Sequence, residues 1–160
     1  MKIWPVALRF KGQLARDAQG MEAGAKLLGK ALQSRPEDID LRVEYAATLG
    51  DAGRAKEALQ VLRGTNSSAA TTPRGLFVQA VLAARGRYFR LSRDLLSRSG
   101  LQQDDVASAG LLSAIIDLEE GNFASAAQAL DRLYIRQPDN PRIRDLLAYA
   151  LSRDDGEREL

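Results

Sequence analysis

The sequence predicts an all-α fold of antiparallel helix pairs, about nine helices in all: four pairs and one terminal helix. Three observations predict it. Glycines follow helix-like stretches at a near-constant interval, at Gly20, Gly53, Gly86, Gly121 and Gly156, with spacings of 33, 33, 35 and 35 residues. Apolar residues recur at helical spacing on either side of these glycines. Alternating Val, Ile and Thr runs bounded by hairpin turns, the mark of strands, are missing. A glycine just past the last turn of a helix can take the left-handed conformation that ends it. Each interval therefore predicts helix, tight turn, helix.

The elements follow in order. Ile39, Val43, Ala46 or Ala47, and Leu49 or Gly50 trace one face of a first helix; Ala55, Ala58 or Leu59, and Leu62 trace the face of its second. Leu111 to Leu118 and Phe123 to Leu133 repeat the scheme. Proline marks the joints, in Arg35-Pro36-Glu37-Asp38 and Gln137-Pro138-Asp139-Asn140-Pro141. It cannot continue a helix interior but suits a new start, where Asp38 or Asn140 can cap. Gly64 to Pro73 is the longest loop-like stretch, a relaxed connection within the array. Pro141 to Arg153 forms a last helix with an apolar stripe of Ile143, Leu146 or Leu147, and Ala150 or Leu151. Either it caps the array, or Gly156 opens a fifth pair that stops after Leu160. A pattern halted in mid-repeat is expected of a fragment or of one domain of a longer chain.

These residues resemble the tetratricopeptide repeat, a helix-turn-helix unit of about 34 residues with the pattern W-x2-L-G-x2-Y…A-x3-F…P. One domain over residues 1–160 is expected, with copies at 5–38, 39–72, 73–106 and 107–140, and 141–160 as terminal helix or truncated fifth copy. In the second copy Arg42, Tyr45, Ala46 and Leu49 match the first helix, Gly53 the turn, and Ala58 and Leu62 the second helix. The fourth offers Ala114, Gly121, Ala126, Leu130 and Pro138. The first shows Gly12, Gly24, Leu28 and Pro36. The third departs: Leu91 stands for the small residue that lets paired helices approach, so its helices should be pushed apart. The resemblance implies a right-handed α-α superhelix whose job is to bind another protein. Bacterial relatives often serve envelope assembly, pilus biogenesis or secretion.

First helices of such a superhelix line an inner groove that holds a peptide or partner helix. In this register the groove residues are Val43, Ala47, Leu76, Ala80, Leu111, Ile115, Leu118 and Tyr149, with Asp40, Asp51, Glu119 and Arg153 towards its rims. An apolar trough of that kind suits an amphipathic helix; the alternative is that neighbouring packing covers it. Relatives that clamp a peptide carboxylate use Lys, Asn and Arg in this groove, and those are not found here. A second surface is basic: Arg85, Arg87, Arg90 and Arg93, the last three at helical spacing. It could take an acidic protein, or the acidic end of a second copy in a homodimer. A self-associating module with no peptide ligand is thus the competing expectation.

Composition bounds the rest. The chain has no Cys and no His, which removes disulfides, Cys/His zinc sites and histidine-based nucleophile pairs. Asp104-Asp105, Glu119-Glu120 and Asp154-Asp155 are adjacent in sequence, so on a helix their carboxylates diverge. No glycine-rich phosphate loop occurs, and no enzyme activity, cofactor or metal is expected. Asn66-Ser67-Ser68 fits the glycosylation pattern. No apolar run of about 18 residues exists to span a membrane. The start, Met1 to Arg9, is interrupted by Pro5 too early for a secretory signal, which leaves a cytoplasmic location as the default. Arg outnumbers Lys 18 to 5, a mix that suits a high-GC bacterial gene better than a nucleic-acid arm, so nucleic acid is not the expected partner. The net charge of +2 hides an asymmetry. Residues 63–98 carry seven Arg against Asp94, a balance of +6, and residues 99–160 carry six basic and twelve acidic side chains, a balance of −6. Such a polarity either solvates helix faces or lets copies meet head to tail.

Overall fold

The computed structural model describes residues 18–64, 68–101 and 107–158, which are helical throughout apart from turns. The helix expected ahead of residue 18 with its Gly12, the Asn66-Ser67 part of the glycosylation pattern, and Asp104-Asp105 lie outside the described residues. Eight α-helices are described: α1 (Ala18–Ser34), α2 (Ile39–Asp51), α3 (Ala55–Leu62), α4 (Pro73–Arg85), α5 (Phe89–Ser99), α6 (Ala107–Glu119), α7 (Phe123–Arg136) and α8 (Pro141–Arg158). A short 3-10 turn, Ala69–Thr71, precedes α4. No strand occurs among the described residues.

The helices keep a strict period. First helices begin at Ile39, Pro73, Ala107 and Pro141, and second helices at Ala55, Phe89 and Phe123, each 34 residues after the last. The same period governs the turns inside the pairs. The left-handed residue is Gly53 (φ 82°), Arg87 (φ 64°) and Gly121 (φ 82°). One residue later the amides of Arg54, Tyr88 and Asn122 donate to the carbonyls of Leu49, Ala83 and Asp117 at 2.8, 2.9 and 2.8 Å. The amides of Gly53, Arg87 and Gly121 donate to those of Gly50, Ala84 and Leu118. These paired bonds satisfy the carbonyls that a helix end leaves open.

The expected glycine ladder is therefore corrected. Gly20 and Gly156 lie inside α1 and α8, so neither makes a turn, and α8 runs unbroken to Arg158. Gly86 has an ordinary φ of −80°. It stays small for another reason: a Cβ there would meet the Tyr88 ring at 2.9 Å. With Arg87 as the true turn residue, the third copy shifts by one position. Its crossing residue is then Ser92, fully buried, whose hydroxyl donates to the Ala80 carbonyl at 2.6 Å. Leu91 is half exposed and separates nothing. Ala58, Ser92 and Ala126 thus stand at one position of the period, all at 0% exposure.

Caps follow the same spacing. Asp38 Oδ1 accepts from the Leu41 amide at 3.0 Å, Thr72 Oγ1 from Gly75 at 3.0 Å, and Asn140 Oδ1 from Arg142 at 3.1 Å. Each side chain satisfies an orphan donor of the following helix. Gly75 is also sterically required, because a Cβ at that position would lie 1.9 Å from the Ala69 carbonyl oxygen.

The chain forms two compact units, one ending at Gly100 and one beginning at Leu101. In the first, α1 packs on α2, α2 on α3, and α4 on α5. Its core joins Ala25, Val43, Ala46, Leu49, Ala58, Leu62, Val78 and Leu82. In the second unit α7 packs on both α6 and α8. Leu112, Ile116, Leu130, Leu133, Ile143 and Leu146 are buried there.

Two substitutions probe this frame. Gly121→Ala meets no neighbouring atom, so its cost is conformational alone, and urea unfolding should show a loss of about 1 kcal/mol. Gly75→Ala drives a methyl into backbone, and the same measurement should show a loss of about 2–3 kcal/mol.

Candidate interaction cleft

The expected groove residues divide between the units. Val43, Ala47, Leu76 and Ala80 belong to the first and Leu111, Ile115, Leu118 and Tyr149 to the second. Val43, Ala80 and Ile115 are at most 1% exposed, and Ala47, Leu76 and Leu111 are buried as well. Those six side chains are core in this structure. Leu118 is half-buried, and Tyr149 is exposed, its ring edge-on to Phe123 with centroids 6.3 Å apart.

The basic residues separate too. Arg87 is exposed on the turn with its guanidinium 5.2 Å from the Phe89 ring centre, and Arg90 is exposed on α5. Arg93 is half-buried. Arg85 instead turns inward. It donates to the Gly50 carbonyl through Nη1 and to Asp51 Oδ1 through Nη2 at 3.1 Å, beside a fully shielded Asp51 side chain. Burial pushes the Arg85 guanidinium below the usual arginine range, and the Asp51 carboxylate partly offsets that.

Arg85 stands at one end of an open cleft of about 770 Å³. α3 and α5 form its walls, with Leu59 and Arg63 on one and Leu91, Leu95 and Arg98 on the other. Leu82 and Ala83 of α4 form the floor. Leu82 comes close because Gly50 has no side chain; a Cβ there would meet its methyl at 2.9 Å. α3 is short, 8 residues against 11 in α5 and 14 in α7, and ends just ahead of Gly64. Arg42 ties that end down, donating to the carbonyls of Val61 at 3.0 Å and Pro36 at 2.8 Å.

The lining has two chemical features. Tyr88 (67% exposed) and Leu91 (50% exposed) present large apolar surface at its lip. Among the described residues no carboxylate lines it, while Arg63, Arg85 and Arg98 do. The nearest acid on α5, Asp94, pairs with Arg98 at 3.6 Å on the exposed side. A second hollow, of about 730 Å³ between α1 and α2, is different in kind. Glu22, Lys26, Lys30, Arg42 and Arg54 line it with mixed sign, and Arg54 already binds Glu22 and Glu57.

Arg63, Arg98, Leu59 and Leu91 were not among the expected site residues. Their signal was present as Leu59 and Arg63 four apart, and Leu91, Leu95 and Arg98 four and three apart, each a stripe on one helix face. Among the described residues no cluster of acidic side chains could hold a metal ion, and no helix is long and apolar enough to cross a membrane.

The fold and the cleft define an all-α protein of helix pairs with an open, apolar, cationic surface recess. No protein-family model, curated protein or solved structure matches the chain.

The Asp51–Arg85 pair is testable by itself. Asp51→Ala leaves a largely buried cation without its counter-charge, and urea unfolding should show a loss of about 3 kcal/mol. Adding Arg85→Met should recover most of it; a double variant as unstable as the single would show that the pair does not act as a unit.

Proposed function

We propose that this chain is a protein-binding helical-repeat module of the tetratricopeptide type, which takes a partner helix or peptide. The 34-residue period of helix starts, left-handed turn residues, crossing residues and caps supports the repeat type. Binding in place of catalysis is supported by a chain without His or Cys, in which the exposed Tyr88 and Leu91 line a recess. The surface favoured is the α3–α5 cleft. The observation that carries it is the exposure of Tyr88 and Leu91 above a floor of Leu82 and Ala83. Exposed apolar surface of this kind, rimmed by charge, is what binding sites present. A peptide along the first helices, the groove expected from the resemblance, would have to displace packed core at Val43, Ala80 and Ile115.

Self-association is the second reading, favoured by the exposed Tyr149 and Leu151 on α8. The test for the module is peptide display on the immobilised chain. Helical binders should emerge, lose affinity about tenfold or more on Leu91→Asp or Tyr88→Ala, and shield α3 and α5 amides from hydrogen exchange. Both positions are exposed, so circular dichroism should stay unchanged. Binders indifferent to both substitutions would overturn the cleft as the site.

A further inference from the structure

The period exposes a second apolar surface, on α8. In α2, α4 and α6 the residues at one position of the period, Ala46, Ala80 and Ala114, are all at 0% exposure. Three residues on, Leu49, Ala83 and Asp117 are buried too. This is the face each first helix turns to its own second helix, as the bond from Ser92 on α5 to the Ala80 carbonyl shows. The matching residues of α8 are Ala148 and Leu151, and both are exposed, Leu151 at 46%. Ala148 and Leu151 are thus exposed where their equivalents are buried, half-buried Leu147 lies beside them, and the next turn carries Asp154 and Asp155.

The two surfaces are complementary. The α3–α5 cleft is apolar at its floor and lip, carries Arg63, Arg85 and Arg98, and has no carboxylate among its described lining residues. The α8 stripe is apolar and ends in two acidic residues. The lengths agree as well. Eight residues of α3 make a wall of about 12 Å, and Leu147 to Asp155 span about 12 Å at 1.5 Å per residue. The charge balance has the same sense, +6 over residues 63–98 and −6 over residues 99–160.

We propose that the cleft receives the C-terminal half of α8 from a second copy of this chain. Leu151 of one copy sits against Leu91 and Tyr88 of the other, and Asp154 and Asp155 face Arg63 and Arg98. This deepens the binding-module reading and rests on its choice of cleft. The contact is heterologous, so one copy offers its cleft while its own α8 stays available to a third. Such contacts build rings or open chains unless two copies satisfy each other reciprocally.

Charge exchange tests it on the full chain. Light scattering of the wild type should give a mass that rises with concentration above the single-chain 17.5 kDa and falls back in high salt. Arg63→Glu with Arg98→Glu should hold the mass at one chain, and so should Asp154→Arg with Asp155→Arg. All four changes together should restore association, and the two reversed variants mixed in equal amounts should associate with each other. Leu151→Ser, an uncharged and exposed change, should also reduce the mass to one chain, with circular dichroism confirming the helices. A wild type that stays at one chain at every concentration overturns the proposal, as do reversals that leave the mass unchanged or a fourfold variant that fails to recover. A monomeric chain that still binds displayed peptides through Leu91 would sink the second-copy proposal while leaving the binding module standing.

Discussion

The left-handed residue that closes each first helix is the constraint on which the rest depends. It places two hydrogen bonds on the last carbonyls and turns the chain back, so the following helix must start two residues later. Once Gly53, Arg87 and Gly121 are set, the crossing position of each second helix follows five residues downstream, at Ala58, Ser92 and Ala126. Helices 8–10 Å apart need a small residue there. Turn and crossing are therefore one device, and moving the turn by one residue would bring a large side chain to the contact. Leu91 illustrates this: counted from Gly86 it would sit in the crossing, counted from Arg87 it faces the cleft.

Arg87 shows how firmly that device is held. A non-glycine residue in the left-handed region carries a cost of about 1–2 kcal/mol, and a glycine stands one residue away. Gly86 serves a different need, since a Cβ there would come within 2.9 Å of the Tyr88 ring. The same few residues that close the third pair also set an aromatic side chain at the lip of the cleft.

The pairing of helices was legible in the sequence because turn, crossing and cap residues belong to restricted chemical types. Gly53, Gly121, Ala58, Ala126, Asp38 and Asn140 all announce their roles locally. The third copy was not, since Arg87 and Ser92 do not look like a turn residue and a crossing residue until the backbone is seen. The cleft was less legible still. Its lining is gathered from the end of α2 and from α3, α4 and α5, and no local motif announces such a convergence. Of the expected groove residues Tyr149 is exposed, while Ala80, Leu111 and Ile115 are among those that are buried. An apolar residue on a first helix reads alike whether it lines a groove or fills a core. Burial distinguishes the two, and periodicity does not.

Charge needs the same distinction between position and sum. Of the seven arginines in residues 63–98, only Arg63, Arg85 and Arg98 line the cleft, and they differ in kind. Arg85 is committed to Asp51, so it fixes the end of α4 and contributes field more than contact. Arg98 is exposed and paired with Asp94, an arrangement worth little in water and easily exchanged for a better-placed acid. Arg63 lies just past α3, where the helix's open carbonyls favour a cation. A ligand's carboxylates would thus compete with the weak Asp94–Arg98 pair and leave the Asp51–Arg85 pair intact. That ordering gives the cleft a fixed floor and an adaptable edge, and it makes charge the determinant of which apolar helix enters and apolar area the determinant of how long it stays.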